Sequence, residues 1–355
     1  MYIELETKVQ KVLFENEQVQ IVQTTSGAKK AIVYRSFFER VDENDAVIVN
    51  HTGSALNLGT GGYDIVKHVL KKKPFQNDEQ GHIMKLRYTP QQLSVLSVEA
   101  EESPYHSLFT RNFSLNGRYV LLAELHSMIP VIYQLLKRFC NGFTLTVIID
   151  DKASLPLMMS EHLNILHKNE NFFSITIGQA FGGKYEAVNL QTALQFAKEQ
   201  LKSDFIVVSL GPGVVGTSSL YGFSGMCLAD WANIIGSLDG KSVWVPRLSF
   251  AEKRKRHYGL SHHTLTPLAK FTYAESILPL PALNGQKQDE LQKNLAPLKE
   301  KKQVRIDWEQ VDHSLLSEAL DSYPAPITTM GRTFQDDAAF FYGIYSAVKW
   351  TVSHS

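Results

Sequence analysis

Two rhythms of apolar and polar residues divide this chain. From Lys8 to about Val49, short apolar bursts (VQKVLF, VQIV, AIVY, AVIVN) alternate with turn-forming sequences such as Glu15-Asn16-Glu17 and Asp42-Glu43-Asn44-Asp45. That spacing predicts a small antiparallel sheet or barrel. Strand-like alternation returns at His82 to Tyr88 and Leu93 to Val98, then breaks at Glu99, Glu101, Glu102, Ser103 and Pro104, which puts a boundary near Pro104 to Asn116. After Asn116-Gly117 short apolar runs (YVLLAEL, FTLTVII, SITI, FIVVSL, SVWVP) alternate with helical patterns (MIPVIYQLLKRF, LPLMMSEHLNILHK, AVNLQTALQFAKEQL, MCLADWANIIGSL). Such alternation means βαβ units and a parallel sheet covered on both faces. A polar, helix-prone stretch from Gln286 to Lys302, a helix at HSLLSEAL and an aromatic helix AFFYGIYSAVKW complete the chain. The expected fold is therefore α/β: a doubly wound, mostly parallel, Rossmann-like sheet over 108–285. A small all-β, barrel-like domain at 1–107 precedes it, and a C-terminal helical extension at 286–355 packs on it.

Composition narrows the partners. A chain of 355 residues exceeds the size at which one core keeps growing, consistent with more than one domain. Thirty-six basic residues balance thirty-six acidic ones, which disfavours a general nucleic-acid or membrane binder and leaves only local patches. No run approaches a membrane span, and MYIELETKVQ lacks the basic start and apolar core of a leader, so a cytoplasmic protein is expected. The two cysteines, Cys140 and Cys227, sit among apolar neighbours and read as buried thiols rather than nucleophiles. A homo-oligomer is left open. Phe340, Phe341, Tyr345 and Trp350 read as core or interface residues, because no basic residues are interleaved with them.

Ligands of open parallel sheets bind beyond the carboxyl ends of the strands, and those ends are polar here. Glu124 and His126 follow the first strand, where a carboxylate can fix a histidine's tautomer for acid–base work or metal binding, or simply satisfy it. Asp150 and Asp151 follow the second, as metal or acid–base carboxylates or as turn formers. Gly182 and Gly183 precede a helix whose N-terminus would face an anion. Gly211, Gly213 and Gly216 spell G-x-G-x-x-G after a strand, with Asp230 beyond; the intervening TSSLYGFSG and Pro212 argue for a polar-ligand loop, with Thr217, Ser218 and Ser219 as donors, over a dinucleotide fingerprint. Earlier, Gly59, Gly61 and Gly62 form either a phosphate nest or a wide turn, and Lys71 to Lys73 read as a solvated turn.

The most unusual stretch is Arg247 to Pro267, with three of the twelve histidines, His257, His262 and His263, beside the basic run Lys253 to Arg256. It reads as a loop, with Thr266-Pro267 capping a short helix just after the histidines. Adjacent His262 and His263 lack the spacing of a helical zinc site, so a divalent metal would draw on His126 and Asp150 as further ligands. The basic run suits an anionic substrate.

The sequences LNLGTGGYD, GHIMKLRYTP, LHSM, GQAFGGKYEAVN, GPGVVGT, RHYGLSHHTLT, TMGR and DDAAFF, spread over nearly the whole chain, resemble those of a bacterial family catalogued as a domain of unknown function, the domain of unknown function 3866 type. The resemblance implies that these loops belong to a shared architecture; it assigns no reaction, cofactor or catalytic residue. The reading that follows from the residues is an enzyme acting on a small anionic molecule, a phosphorylated one included, at the carboxyl edge of the sheet. Gly182, Gly183 and the Gly211 to Ser218 loop would bind the anion, and His126 or His262 and His263 would move protons or hold a metal, supported by Glu124 and Asp150. The alternative is a non-catalytic ligand sensor or partner-binding protein with its effector site in the α/β domain.

Overall fold

The early apolar bursts close into a barrel. In the computed structural model, which describes residues 1–58, 61–70, 75–76, 80–152 and 156–355, five strands (Glu4–Glu15, Val19–Thr24, Lys30–Tyr34, Ala46–Asn50 and Asp64–Val69) join in the order first, second, third, fifth, fourth. All pairs are antiparallel except Lys30–Tyr34 with Asp64–Val69. The first strand can pair on both sides because register shifts between Val9 and Lys11 and between Val12 and Phe14 bend it. Alternate residues point inward, and the interior is filled almost entirely by valines, among them Val9, Val22, Val33, Val47, Val49 and Val66. Gly59 and Lys71 to Lys73, singled out in the sequence, lie outside the described residues.

Contacts divide the chain into two units, Met1–Gln80 with Leu86–Ser94, and Gly81–Lys85 with Val95–Ser355. The second unit is built on an eight-stranded sheet in which every pair is parallel. Across the sheet the strands run Tyr185–Glu186, Phe172–Gly178, Leu145–Asp151, Phe205–Ser209, Tyr119–Ala123, Lys241–Trp244, Ser276–Pro281 and Val304–Glu309.

The central strands read as unbroken apolar runs because both of their faces are covered. Successive residues of one strand feed different cores. Leu121, Val147 and Phe172 pack on one side beneath Met128–Phe139 and Ala338–His354. Val120, Leu122, Ile148 and Ile175 pack on the other, with residues of Leu190–Glu199, Cys227–Ser237 and His262–Phe271. Trp231, Trp244 and Trp350 are fully buried; burial of a large apolar side chain contributes roughly 1.5–3 kcal/mol. Helix starts follow local chemistry: Asn189, Ser160 and Asp312 each accept a backbone N–H of the helix they cap.

Three local expectations are revised. The single helix read in LPLMMSEHLNILHK is a 3-10 turn, Leu157–Met159, followed by a short helix, Glu161–Leu166, because Ser160 caps in mid-segment. Val304–Glu309, within the 286–355 stretch expected to be a helical extension, is an edge strand of the sheet, as its alternation of apolar and charged residues allows, so the C-terminal portion is not purely helical. Cys227 is buried as expected, but Cys140 is partly exposed; both thiols are free.

The strand order fixes where a cleft opens. After Tyr119–Ala123 the chain moves toward Leu145–Asp151, while after Lys241–Trp244 it moves the opposite way to Ser276–Pro281, although these two departing strands are neighbours. Connections that diverge from adjacent strands leave a crevice at their carboxyl ends, the position at which α/β sheets bind ligands.

Candidate functional site

Glu124 is the first residue after Tyr119–Ala123, and Arg247 follows the neighbouring strand after Val245 and Pro246. The two side chains meet beyond the carboxyl ends of these strands. Glu124 is 1% exposed, and its Oε1 accepts hydrogen bonds from Arg247 Nη1 at 3.1 Å and from His263 Nδ1 at 2.6 Å. Burial raises the carboxyl pKa, but Arg247 and His263 outweigh it and hold the group below its usual range. With an ionised carboxylate as partner, the short contact requires the proton on His263 Nδ1, which leaves Nε2 as the lone-pair nitrogen. Phe223 stacks flat on the ring, with centroids 3.8 Å apart and planes 3° from parallel. A side chain at Gly225 would press its Cβ to 3.0 Å from Glu124 Oε1, so only glycine leaves this room beside the carboxylate.

The histidines are placed by a helix that starts earlier than the sequence suggests. Thr266-Pro267 is not its start: the helix runs His262–Phe271, with Pro267 inside it. Ser261 is the N-cap, and its hydroxyl accepts from His263 N at 3.1 Å. Ser-His-His-Thr and Thr-Pro both carry N-terminal signals, and the one farther from the proline wins because it also seats His263 on Glu124. The rest of Arg247 to Pro267 is likewise ordered, through a two-residue strand pair, Leu248–Ser249 with Gly259–Leu260, and a 3-10 turn, Lys255–His257.

That turn delivers the third ring. His257 Nδ1 lies 2.7 Å from Ser261 Oγ, and its Nε2 accepts from Arg256 Nε at 3.3 Å. The ring centroids of His257, His262 and His263 lie 4.5 to 4.9 Å from one another. Burial, reinforced by Arg247 and neighbouring positive groups, lowers the His257 pKa to about 3. Burial and then His263 and Arg256 lower that of His262 to about 4. Both rings are therefore neutral at physiological pH, and their place by a helix N-terminus works in the same direction. Two buried polar atoms at this centre, Glu124 Oε2 and His262 Nε2, have no hydrogen-bond partner among the described residues.

The glycine-rich loop Gly211 to Ser218 borders the same centre. A Cβ at Gly216 would lie 3.8 Å from His263 Cε1 and 4.0 Å from its Nε2, so the loop runs beside that edge of the ring. Gly213 has φ +99° and Ser218 φ +66°. Thr217 Oγ1 donates to Gly222 O at 2.9 Å, and Ser218 Oγ accepts from Arg256 Nη2 at 2.9 Å. The following helix, Cys227–Ser237, begins only after this loop has folded back on Phe223, and Asp230 is exposed in its first turn. A dinucleotide fingerprint runs straight into its helix; this loop does not.

The remaining candidates have other partners. His126 does not meet Glu124: its Nε2 lies 2.6 Å from Ser160 Oγ, and burial followed by His162 lowers its pKa to about 4. Two residues of separation put both side chains on one side only while the strand continues, and the strand ends at Ala123. Asp150 Oδ2 accepts from Trp231 Nε1 at 2.6 Å, and burial raises its pKa. Gly182 and Gly183 are followed by a two-residue strand, Tyr185–Glu186, not by a helix. Their amides are engaged, Gly182 N donating to Glu186 Oε1 at 2.7 Å and Gly183 N to Thr176 Oγ1 at 2.9 Å. Glu186 is tied in turn to the buried Lys85, whose Nζ is 3.3 Å from Oε2 and donates to the carbonyls of Gly178 and Ala180.

Sequence reasoning missed Arg247 as the partner of Glu124, and Phe223 as the stacking partner of His263. Arg247 was within reach of the strand-end rule, since it follows VWVP directly. Nothing local marks Phe223, because its role exists only once the loop folds back.

No curated protein matches the chain. The sequence model of one family, described as "Protein of unknown function (DUF3866)", matches residues 30–348.

Proposed function

The chain belongs to the DUF3866 family, and we propose that it is an enzyme acting on a small anionic molecule bound where the loops that follow Tyr119–Ala123 and Lys241–Trp244 meet, beside the Glu124–Arg247 pair. The reading rests on the buried Glu124–His263 pair, 2.6 Å apart at the point where the sheet's connections diverge. A carboxylate that holds Nδ1–H leaves Nε2 basic and oriented, as proton transfer or metal-assisted chemistry requires. The sheet, with helices packed on both faces, is read as doubly wound and Rossmann-like, which agrees with a ligand at this edge.

Anion selectivity comes from Arg256. Arg254 is neutralised by Glu252 at 2.7 Å, whereas Arg256 contacts only neutral groups, Ser218 and His257, and forms no ion pair among the described residues. An uncompensated guanidinium that bridges the glycine-rich loop and the histidines suits a phosphate or carboxylate.

The test is a screen for thermal stabilisation and turnover with inorganic phosphate, pyrophosphate and phosphorylated or carboxylated small molecules. Wild type is expected to be stabilised by at least one class, and Arg256→Ala to bind it roughly 10–100-fold more weakly, the value of a charge-assisted hydrogen bond. No response in wild type, or an equal response in the variant, would remove the reading. Stabilisation without turnover would favour an effector-binding sensor.

A further inference from the structure

We infer that His257, His262 and His263 form a self-contained binding site for one divalent transition-metal ion, zinc foremost, in the crevice. The inference rests on the reading above for the location of the site and not for its substrate. One ring nitrogen from each histidine lies within 4.8 Å of the others. Three imidazoles on a tetrahedral ion with metal–nitrogen bonds of about 2.0–2.1 Å would have these nitrogens about 3.3 Å apart. The ring nitrogens therefore need to draw together by up to about 1.5 Å, which side-chain torsions on a 3-10 turn and a first helical turn can supply.

Each ring offers one nitrogen and has the other occupied or turned aside. His263 gives its Nδ1 proton to Glu124, and His257 places Nδ1 against Ser261 Oγ at 2.7 Å, so Nε2 is the free atom in both. His262 Nε2 is buried with no partner among the described residues, a costly state for a polar atom unless something fills it. Carboxylate and hydroxyl groups that hold the far nitrogens of ligating histidines are the usual support of such sites. Among the described residues the competing contact is Arg256 Nε on His257 Nε2, at 3.3 Å the longest in the cluster; an ion would displace it and free Arg256 to face an anion. The positive charges of Arg247 and Arg256 oppose a cation here, and Glu124 offsets one of them.

Three imidazole ligands favour zinc and its neighbours in the first transition row over magnesium or calcium, which take oxygen ligands. They also leave a coordination position toward the Gly216 loop, where a divalent ion supplies a Lewis acid and an acidified water. Neither His126 nor Asp150 is needed, since each is engaged elsewhere.

The test uses the full chain, stripped by a chelator and then titrated with Zn2+ by calorimetry and with Co2+ by visible absorption. Wild type should bind one equivalent of either ion and give the intense d–d bands of tetrahedral cobalt. His262→Ala and the larger His262→Gln should each bind at least tenfold more weakly with unchanged tryptophan fluorescence, and Glu124→Gln roughly 10–100-fold more weakly. His51→Gln, in the barrel, should behave as wild type. Absence of a stoichiometric site, or equal binding by both His262 variants and wild type, overturns the inference. The phosphate response of the stripped protein separates the two readings: if it persists without metal binding, only the metal site falls, and if metal binds with no anion response, only the substrate reading falls.

Discussion

Replacing Arg247 with methionine removes the guanidinium from Glu124 and keeps most of the side-chain volume. The carboxylate, 1% exposed, would then rely on His263 alone, with Oε2 already unpartnered. Breaking one side of a buried ion pair costs about 3–5 kcal/mol, since the remaining charge stays desolvated, and the surviving His263 contact places the expected loss near the lower end. At about 2–4 °C per kcal/mol for a unit of this size, that is a fall in Tm of roughly 6–20 °C. Urea denaturation followed by tryptophan fluorescence is the appropriate assay, because Trp231, Trp244, Trp308 and Trp350 all belong to the Val95–Ser355 unit and none to the barrel. The pH dependence follows from the direction of the Glu124 shift. Its pKa is depressed in the folded state, so its contribution is present above the unfolded carboxylate value, about 4.3, and is lost as pH falls through the lower folded value. The gap between wild type and Arg247→Met should be full at pH 7 and close below about pH 4. Adding Glu124→Gln should restore much of the loss by removing the stranded charge. A cost under about 1 kcal/mol at pH 7, or one that does not shrink in acid, would refute the argument that this pair holds the crevice together.

Lys85→Met should cost a similar 3–5 kcal/mol in the same assay, because it strands the buried Glu186 and the carbonyls of Gly178 and Ala180, and Lys85→Met with Glu186→Gln should recover most of it. Asp150 has the opposite sign. Burial raises its folded pKa, so its contribution is present below the unfolded value and lost as pH rises, and Asp150→Asn, which still accepts from Trp231, should be neutral or stabilising by about 1 kcal/mol at pH 7, with the difference vanishing in acid. A large loss at pH 7 on urea denaturation would contradict this.

Much of the architecture was legible because it depends on periodicity. Apolar runs buried on two faces and bursts buried on one are distinct patterns, and they separate the parallel sheet from the barrel without reference to any contact. The polar strand ends were legible for the same reason: a residue such as Glu124 or Asp150 at the end of an apolar run stands out wherever the chain then goes. Partners were not. Glu124 and His126 are two apart in sequence, yet Glu124 finds His263 and Arg247, more than a hundred positions away, while His126 turns to Ser160.

By itself, then, the sequence determined the two kinds of sheet, the list of chemically capable residues at the sheet's carboxyl edge and the concentration of histidines in Arg247 to Pro267. Tertiary structure decided which of those residues share a centre. Strand order did this: Tyr119–Ala123 and Lys241–Trp244 are neighbours although widely separated in the chain, and no periodicity records which strands lie side by side. Local signals were also ambiguous where two caps competed, and the helix began at His262 because Ser261 could cap it while His263 reached a buried carboxylate. Burial then changed the chemistry, taking His257 and His262 from groups that titrate near neutrality to neutral rings, an effect set by desolvation and neighbouring charge that only the folded chain supplies.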